Sequence, residues 1–107
     1  MAQSMAGMGG LLKQAQEMQG RIAKIQEELA QKTVDGSAGG GMVQVKVNGQ
    51  FNLVSVAIEP AVINGDDKEM LQDLILAAVN DGMRKAREMV AAEMSKVTGG
   101  FKIPGIS

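Results

Sequence analysis

The chain has 107 residues, 11 Lys and Arg against 12 Asp and Glu, a formal charge of −1, and neither His nor Cys. Those absences exclude disulfides, zinc fingers, thiol nucleophiles, Ser-His-Asp triads and imidazole acid–base chemistry, and the balanced charge argues against a uniformly basic surface for nucleic acid. Chemistry is left to Asp, Glu, Lys, Ser or an oxygen-ligated Mg2+, so the composition points to a binding or structural protein rather than an enzyme. No metal site, cofactor or small-molecule substrate is expected.

The length fits a single domain spanning residues 1–107. Two Phe, no Tyr and no Trp leave the packing to aliphatic residues and nine Met, and Met specifies a unique core poorly. A small domain without aromatics or crosslinks is marginal alone, and oligomerisation is the usual remedy. Residues 1–10 are small and read as a flexible lead, with no basic segment followed by an apolar one. No apolar run approaches the length of a membrane span. The expected location is the cytosol.

From Leu11 to Gln31 the pattern is helical. Leu11, Ala15, Met18, Ile22, Ile25 and Leu29 follow the alternating four- and three-residue steps of a heptad seam. Some 21 residues give a rod roughly 30 Å long, more than one small sheet covers. Part of the seam should meet another helix. Lys13 and Lys24 fall on the back of the rod with Arg21 on its flank, among the glutamines Gln14, Gln16, Gln19, Gln26 and Gln31.

Residues 33–59 then read as a small antiparallel sheet. Val43, Val45 and Val47 alternate with Gln44 and Lys46, and Asn48-Gly49 is a strong hairpin signal because a type I′ turn needs positive φ at both positions. Phe51–Glu59 is the return strand, and a two-residue turn pairs Val45 with Asn52 and Val43 with Val54. Val43, Val45, Val47, Val54, Val56 and Ile58 then share one apolar face. Thr33–Ser37 is a candidate third strand that periodicity alone does not establish. The Gly-rich stretch Gly36–Met42 lacks the Gly-Lys-Ser/Thr ending of a phosphate loop, and a strand follows it, so it reads as a β-connection.

Pro60 ends the strand and Ala61–Gly65 connects onward. Asp66 and Asp67 read as caps of a helix over residues 67–97; as Mg2+ ligands they have no partner set beyond Glu69 and Asp73 on a solvated face. Leu71, Leu74, Ile75, Ala78, Val79, Gly82, Ala86, Met89, Val90 and Val97 make a stripe wider than one sheet face needs. Surplus apolar surface on both helices predicts a symmetric dimer. Met18, Ile22, Ile25, Leu29, Leu71, Leu74, Ile75 and Ala78 are the expected core and dimer positions. Arg84, Lys85 and Arg87 are the densest basic group. A solvated helix face is the ordinary reading of such charges; the functional one is phosphate contact, since local clusters matter more than net charge. Gly99-Gly100 stop the helix, and residues 98–107 form a tail that includes the apolar run Phe101–Ile106.

Several strings carry a family resemblance. Leu12-Lys13-Gln14-Ala15-Gln16-Glu17-Met18-Gln19 with Gln26-Glu27-Glu28, then Val45-Lys46-Val47-Asn48-Gly49, resembles the YbaB/EbfC family of bacterial nucleoid-associated proteins. So do Asp66–Ile75, Ala77-Ala78-Val79-Asn80-Asp81 and Gly100-Phe101-Lys102-Ile103-Pro104-Gly105, in the same order along nearly the whole chain. The resemblance implies an α+β fold: an α-β(3)-α protomer with a small antiparallel sheet and two long helices, paired into a tweezer-like homodimer. It also implies binding of double-stranded DNA in the nucleoid by the helical arms, with weak or variable sequence preference. Carried onto this chain, the DNA-contacting positions are Lys13, Gln14, Gln16, Arg21, Arg84, Lys85 and Arg87. The alternative from another class is a dimeric adaptor that binds protein partners through its helical arms or its apolar tail.

Overall fold

The computed structural model describes the backbone of residues 2–98 and the side chains of residues 9–97. Its elements are α1 (Ala2–Gln31), β1 (Thr33–Ala38), a 3-10 turn (Gly39–Gly41), β2 (Val43–Asn48), β3 (Leu53–Ile58), the short α2 (Pro60–Ile63) and α3 (Lys68–Thr98). This is the α-β(3)-α layout, with the three strands antiparallel in the order β1-β2-β3. The third strand over Thr33–Ala38 is therefore present. The Phe101–Ile106 segment lies outside the described residues.

Two boundaries differ from expectation. Helix α1 begins at Ala2 rather than Leu11, so the stretch read as a flexible lead is helical from its second residue. Gly9 and Gly10 sit within it rather than before it. Part of the expected connector Ala61–Gly65 is the helical turn α2, which Pro60 opens with its fixed φ after an extended Glu59. At the start of α3 the capping expectation holds for Asp67, whose Oδ1 accepts the Met70 amide at 2.9 Å.

The hairpin register is the main correction. Val45 pairs with Val56 and Val43 with Ile58, not with Asn52 and Val54. The reason is a wider loop in place of the type I′ turn, which moves the partner of Val47 by three residues to Leu53, and a bulge that adds the fourth. Gly49 has no positive φ; the left-handed residue is Phe51, at φ 64°. Asn48 Oδ1 accepts the amides of Gln50 and Asn52, which holds the wider loop closed. Gly49 instead serves a close approach, its amide donating to the Leu29 carbonyl at 2.8 Å, where an added Cβ would strike Leu29. A bulge opposite Lys46 and Val47 then leaves Val54 unpaired. Because the register moves by an even number of residues, Val56 and Ile58 stay on the face of Val43, Val45 and Val47. Val54 leaves that set.

The core is where α3 crosses this face. Val43, Val45 and Val47 are fully buried with Ala78 and Ala86, and Val34, Ala38, Ile58, Leu74, Ile75, Val79 and Met83 pack around them. Helix α3 runs antiparallel to β1, with Leu74 beside Gly39 and Gly82 beside Gly36. Backbone meets backbone there: a Cβ on Gly36 would fall on the Ala78 carbonyl and the Gly82 backbone. A Cβ on Gly82 would lie 2.9 Å from Val47 Cγ2 and 3.0 Å from Val45 Cγ2. Mid-helix glycine costs about 1 kcal/mol against Ala, and the close valine packing offsets it. Next to this approach, the Ser37 amide donates to Asp81 Oδ2 at 3.0 Å, so a helix carboxylate satisfies a strand amide. That bond, with the ammonium of Lys85 and the guanidinium of Arg84, pulls the Asp81 carboxyl down to about 2.

Helix α3 lies mainly over β1 and β2. On the same face of the sheet, Leu53 and Val56 of β3 are each 43% exposed. Of the expected core and dimer positions, Leu29 and Ala78 are buried in this chain, while Met18, Ile22, Ile25, Leu71, Leu74 and Ile75 are half-buried. The molecule is long, 77 × 27 × 16 Å, with a radius of gyration of 21.1 Å, against about 13 Å for a compact chain of this size. Helix α1 accounts for this: it meets α3 and β2 near its C-terminal end, and every described side chain from Gly9 to Glu17 is exposed.

Three outcomes are expected. Gly36→Ala should lower the urea midpoint by the equivalent of about 1–3 kcal/mol, the range for forced overpacking. Gly20→Ala, where an added Cβ meets nothing within 4 Å, should raise stability by about 1 kcal/mol or less through helix propensity alone. The third outcome concerns pH. A carboxyl held below its ordinary range stabilises the fold fully above that range, and the contribution fades as pH falls from 3.8 toward about 2. Asp81→Asn keeps an acceptor for Ser37 without the charge. Its deficit against the parent should be full near neutrality and shrink across that window in urea melts repeated at each pH.

Candidate nucleic-acid interface

The expected contact residues fall into two sets on separate elements. Lys13, Gln14, Gln16 and Arg21 lie on α1, and all four are exposed. Arg84, Lys85 and Arg87 lie on α3 where it passes the sheet. Val90 of α3 and Leu29 of α1 line one shared hollow, and Lys13 sits about 24 Å before Leu29 along the helix axis at 1.5 Å per residue. Tertiary structure does not gather the two sets into one cluster within a single chain.

Their electrostatics differ. Arg84 is held between Asp81 and Glu88, at 2.9 Å to each, and Lys85 reaches Asp81 at 3.0 Å. These are the three- and four-residue spacings that bring helix side chains together. The Asp81 hydrogen bond, followed by the charge of Glu88, raises the Arg84 guanidinium above its already high value. The densest basic group in the sequence is thus largely internally neutralised. Arg87, and Lys13, Arg21 and Lys24 on α1, make no ion pair among the described residues.

Asp81 is the residue that sequence reasoning missed. Its signal was available: an acid three and four residues before Arg84 and Lys85 is an ion-pair spacing. The strand partner Ser37 had no local signal, because the two residues are 44 positions apart. A second unforeseen pair, Lys32 with Glu93 at 2.8 Å, ties the junction of α1 and β1 to α3. That hydrogen bond raises the Lys32 ammonium, and with a weaker one from Lys96 it lowers the Glu93 carboxyl.

Among the described residues no three acidic side chains converge as metal ligands. No described helix is long and apolar enough to cross a membrane. The outer sheet face is polar, with Lys46 and Asp35 paired across strands at 3.4 Å.

The model of the YbaB/EbfC DNA-binding family matches residues 5–101. A nucleoid-associated protein of Caldanaerobacter subterraneus subsp. tengcongensis is 57% identical over 99 residues, covering 92% of this chain and 89% of its own. One from Desulfotalea psychrophila is 54% identical over 97 residues, covering 91% and 92%. The crystal structure of an uncharacterized protein from Helicobacter pylori is similar at a TM-score of 0.65 and 31% identity, over 81% of this chain and 91% of that one. Family model, curated relatives and fold converge: this chain belongs to the YbaB/EbfC DNA-binding family, which is not an enzyme family.

Proposed function

We propose that two copies of this chain form a homodimer that binds double-stranded DNA in the bacterial cytoplasm, at the nucleoid, with weak sequence preference and no catalysis. One observation carries the reading. The cations Lys13 and Arg21 stand exposed and without an ion pair among the described residues, on a helix that extends away from the sheet. Such a rod can follow a phosphate backbone and release its counterions. Gln14 and Gln16 beside them offer hydrogen bonds to phosphate or base edges. Arg87 adds a further cation on α3 without an ion pair among the described residues, while Arg84 and Lys85 contribute less because Asp81 and Glu88 already hold them. A net charge of −1 keeps the binding modest and salt-sensitive.

The dimer rests on β3. Leu53 and Val56 expose apolar surface on the face that buries Val43, Val45 and Val47. An apolar surface continuous with the core and uncovered in one copy suits a self-complementary contact. Dimerisation doubles every cation on the arms without changing the balance of the chain.

Titration of a labelled duplex at several salt concentrations tests the DNA reading. Log affinity should fall linearly with log salt, and replacing Lys13, Arg21 and Arg87 by Ala should flatten that slope by about 0.9 for each phosphate no longer neutralised. Arg84→Ala with Lys85→Ala should flatten it less. Absence of binding at micromolar dimer and low salt would refute the proposal, and retention of a specific protein partner after nuclease treatment would favour the adaptor reading. Sedimentation at low micromolar concentration tests the dimer: the parent chain should run as a dimer and Val56→Asp as a folded monomer.

A further inference from the structure

The dipeptide Asn-Gly occurs twice, at Asn48-Gly49 and Asn64-Gly65. It is the least hindered setting for a spontaneous reaction of asparagine, because glycine has no Cβ to keep its own amide nitrogen away from the preceding side-chain carbonyl. The reaction needs that nitrogen to be open to water and free to turn. The fold treats the two copies oppositely.

At the first copy the Gly49 amide is buried and donates to the Leu29 carbonyl at 2.8 Å. Asn48 Oδ1 accepts the amides of Gln50 and Asn52, and the Asn48 amide donates to the Asn52 carbonyl at 3.0 Å. Turning the peptide between Asn48 and Gly49 pulls against this set of bonds. At the second copy both residues are exposed. Asn64 closes α2 at φ −81° and ψ −5°, its amide donating to the Pro60 carbonyl at 2.9 Å. That bond lies upstream of the Cα–C torsion that has to move. The Gly65 amide and the Asn64 side chain make no hydrogen bond among the described residues. The chain is next held at Asp67, whose carbonyl and Oδ1 accept the amides of Leu71 and Met70.

We propose that Asn64 is a site of spontaneous deamidation in the folded protein, while the fold protects Asn48. Rotation about the Asn64 Cα–C bond brings Gly65 N to Asn64 Cγ. The N–Cγ bond forms, the Gly65 amide proton passes to solvent, and Asn64 Nδ2 leaves as ammonia. Water then opens the five-membered imide. Attack at Cγ gives aspartate, and attack at the main-chain carbonyl gives isoaspartate, whose backbone runs through the side chain. Either product places a new carboxylate beside Asp66 and Asp67 and makes the formal charge of −1 more negative. The isoaspartyl product also lengthens the link from α2 to α3 by one carbon. The reaction does not depend on DNA binding.

Ageing the full chain in mildly alkaline buffer, followed by peptide mass mapping, tests this. Asn64 should gain one mass unit as paired aspartyl and isoaspartyl peptides, at least about tenfold faster than Asn48, the ratio set by the hydrogen bonds that must open around Gly49. Ageing in urea removes the fold and should bring the two rates together. Equal rates in the folded protein, or an Asn64 that stays intact there, overturns the proposal. Gly65→Ala places a Cβ 3.4 Å from the Ala61 carbonyl oxygen, an ordinary contact, and should slow conversion of Asn64 several-fold without changing Asn48. An unchanged Asn64 rate in that variant would mean direct hydrolysis and overturn attack by Gly65 N.

Discussion

The contact between Gly36 of β1 and Gly82 of α3 sets the geometry on which the rest depends. With no side chain on either residue, the helix backbone sits directly on the strand, and its neighbours Ala78 and Ala86 are correspondingly small and fully buried. That depth lets α3 touch Val43, Val45 and Val47 of the next strand as well as β1. It also brings Asp81 within hydrogen-bond reach of the Ser37 amide. A side chain at Gly36 would lift the helix, uncover the three valines and break the strand-to-helix bond together.

The same placement explains why the sheet is unevenly covered. A helix drawn down onto β1 and β2 cannot also roof β3, so Leu53 and Val56 keep part of their surface in water. The uncovered strip is the inner face of the sheet, not an outer surface, and that continuity with the core is the ground on which the dimer is proposed. The same helix continues to the α1–β1 junction, where Leu29, Gly49 and the Lys32–Glu93 pair anchor the long first helix by one end. Anchoring at one end leaves the other projecting. A chain with little core thus builds an extended shape from local helix propensity and a single joint.

Charge follows position in this architecture. On α3 the basic residues stand within one turn of Asp81 and Glu88, so the pairs form along the helix and the cluster is mostly neutral. Lys13 and Arg21 on α1 share their surface with acids too, but find no partner at bonding distance among the described residues. Counting charges along the chain ranks the α3 group first; pairing reverses the order. The same holds for any protein of balanced charge, where the sign of a segment says less than which of its cations are already engaged.

Much of this was legible from residue order. The heptad seam marked α1, alternation marked β2 and the return strand, Asp67 marked the start of α3, and the strings around Lys13, Asn48 and Asp66 pointed to the family. Each of those signals is local, set by helix periodicity, strand alternation or the capping of free amides. What residue order left open needed contacts between distant positions. Asn48-Gly49 resembles a tight turn, but Gly49 lies against Leu29, and the wider loop together with the bulge moves the register by four. Ser37 and Asp81, or Gly36 and Gly82, are ordinary residues until α3 lies on β1. Composition and pattern determined the elements and the absence of His and Cys chemistry, and particular strings carried the resemblance to the family; tertiary packing alone decided the register, the bare face of β3 and which cations are already paired, because those depend on distances between residues that the chain separates.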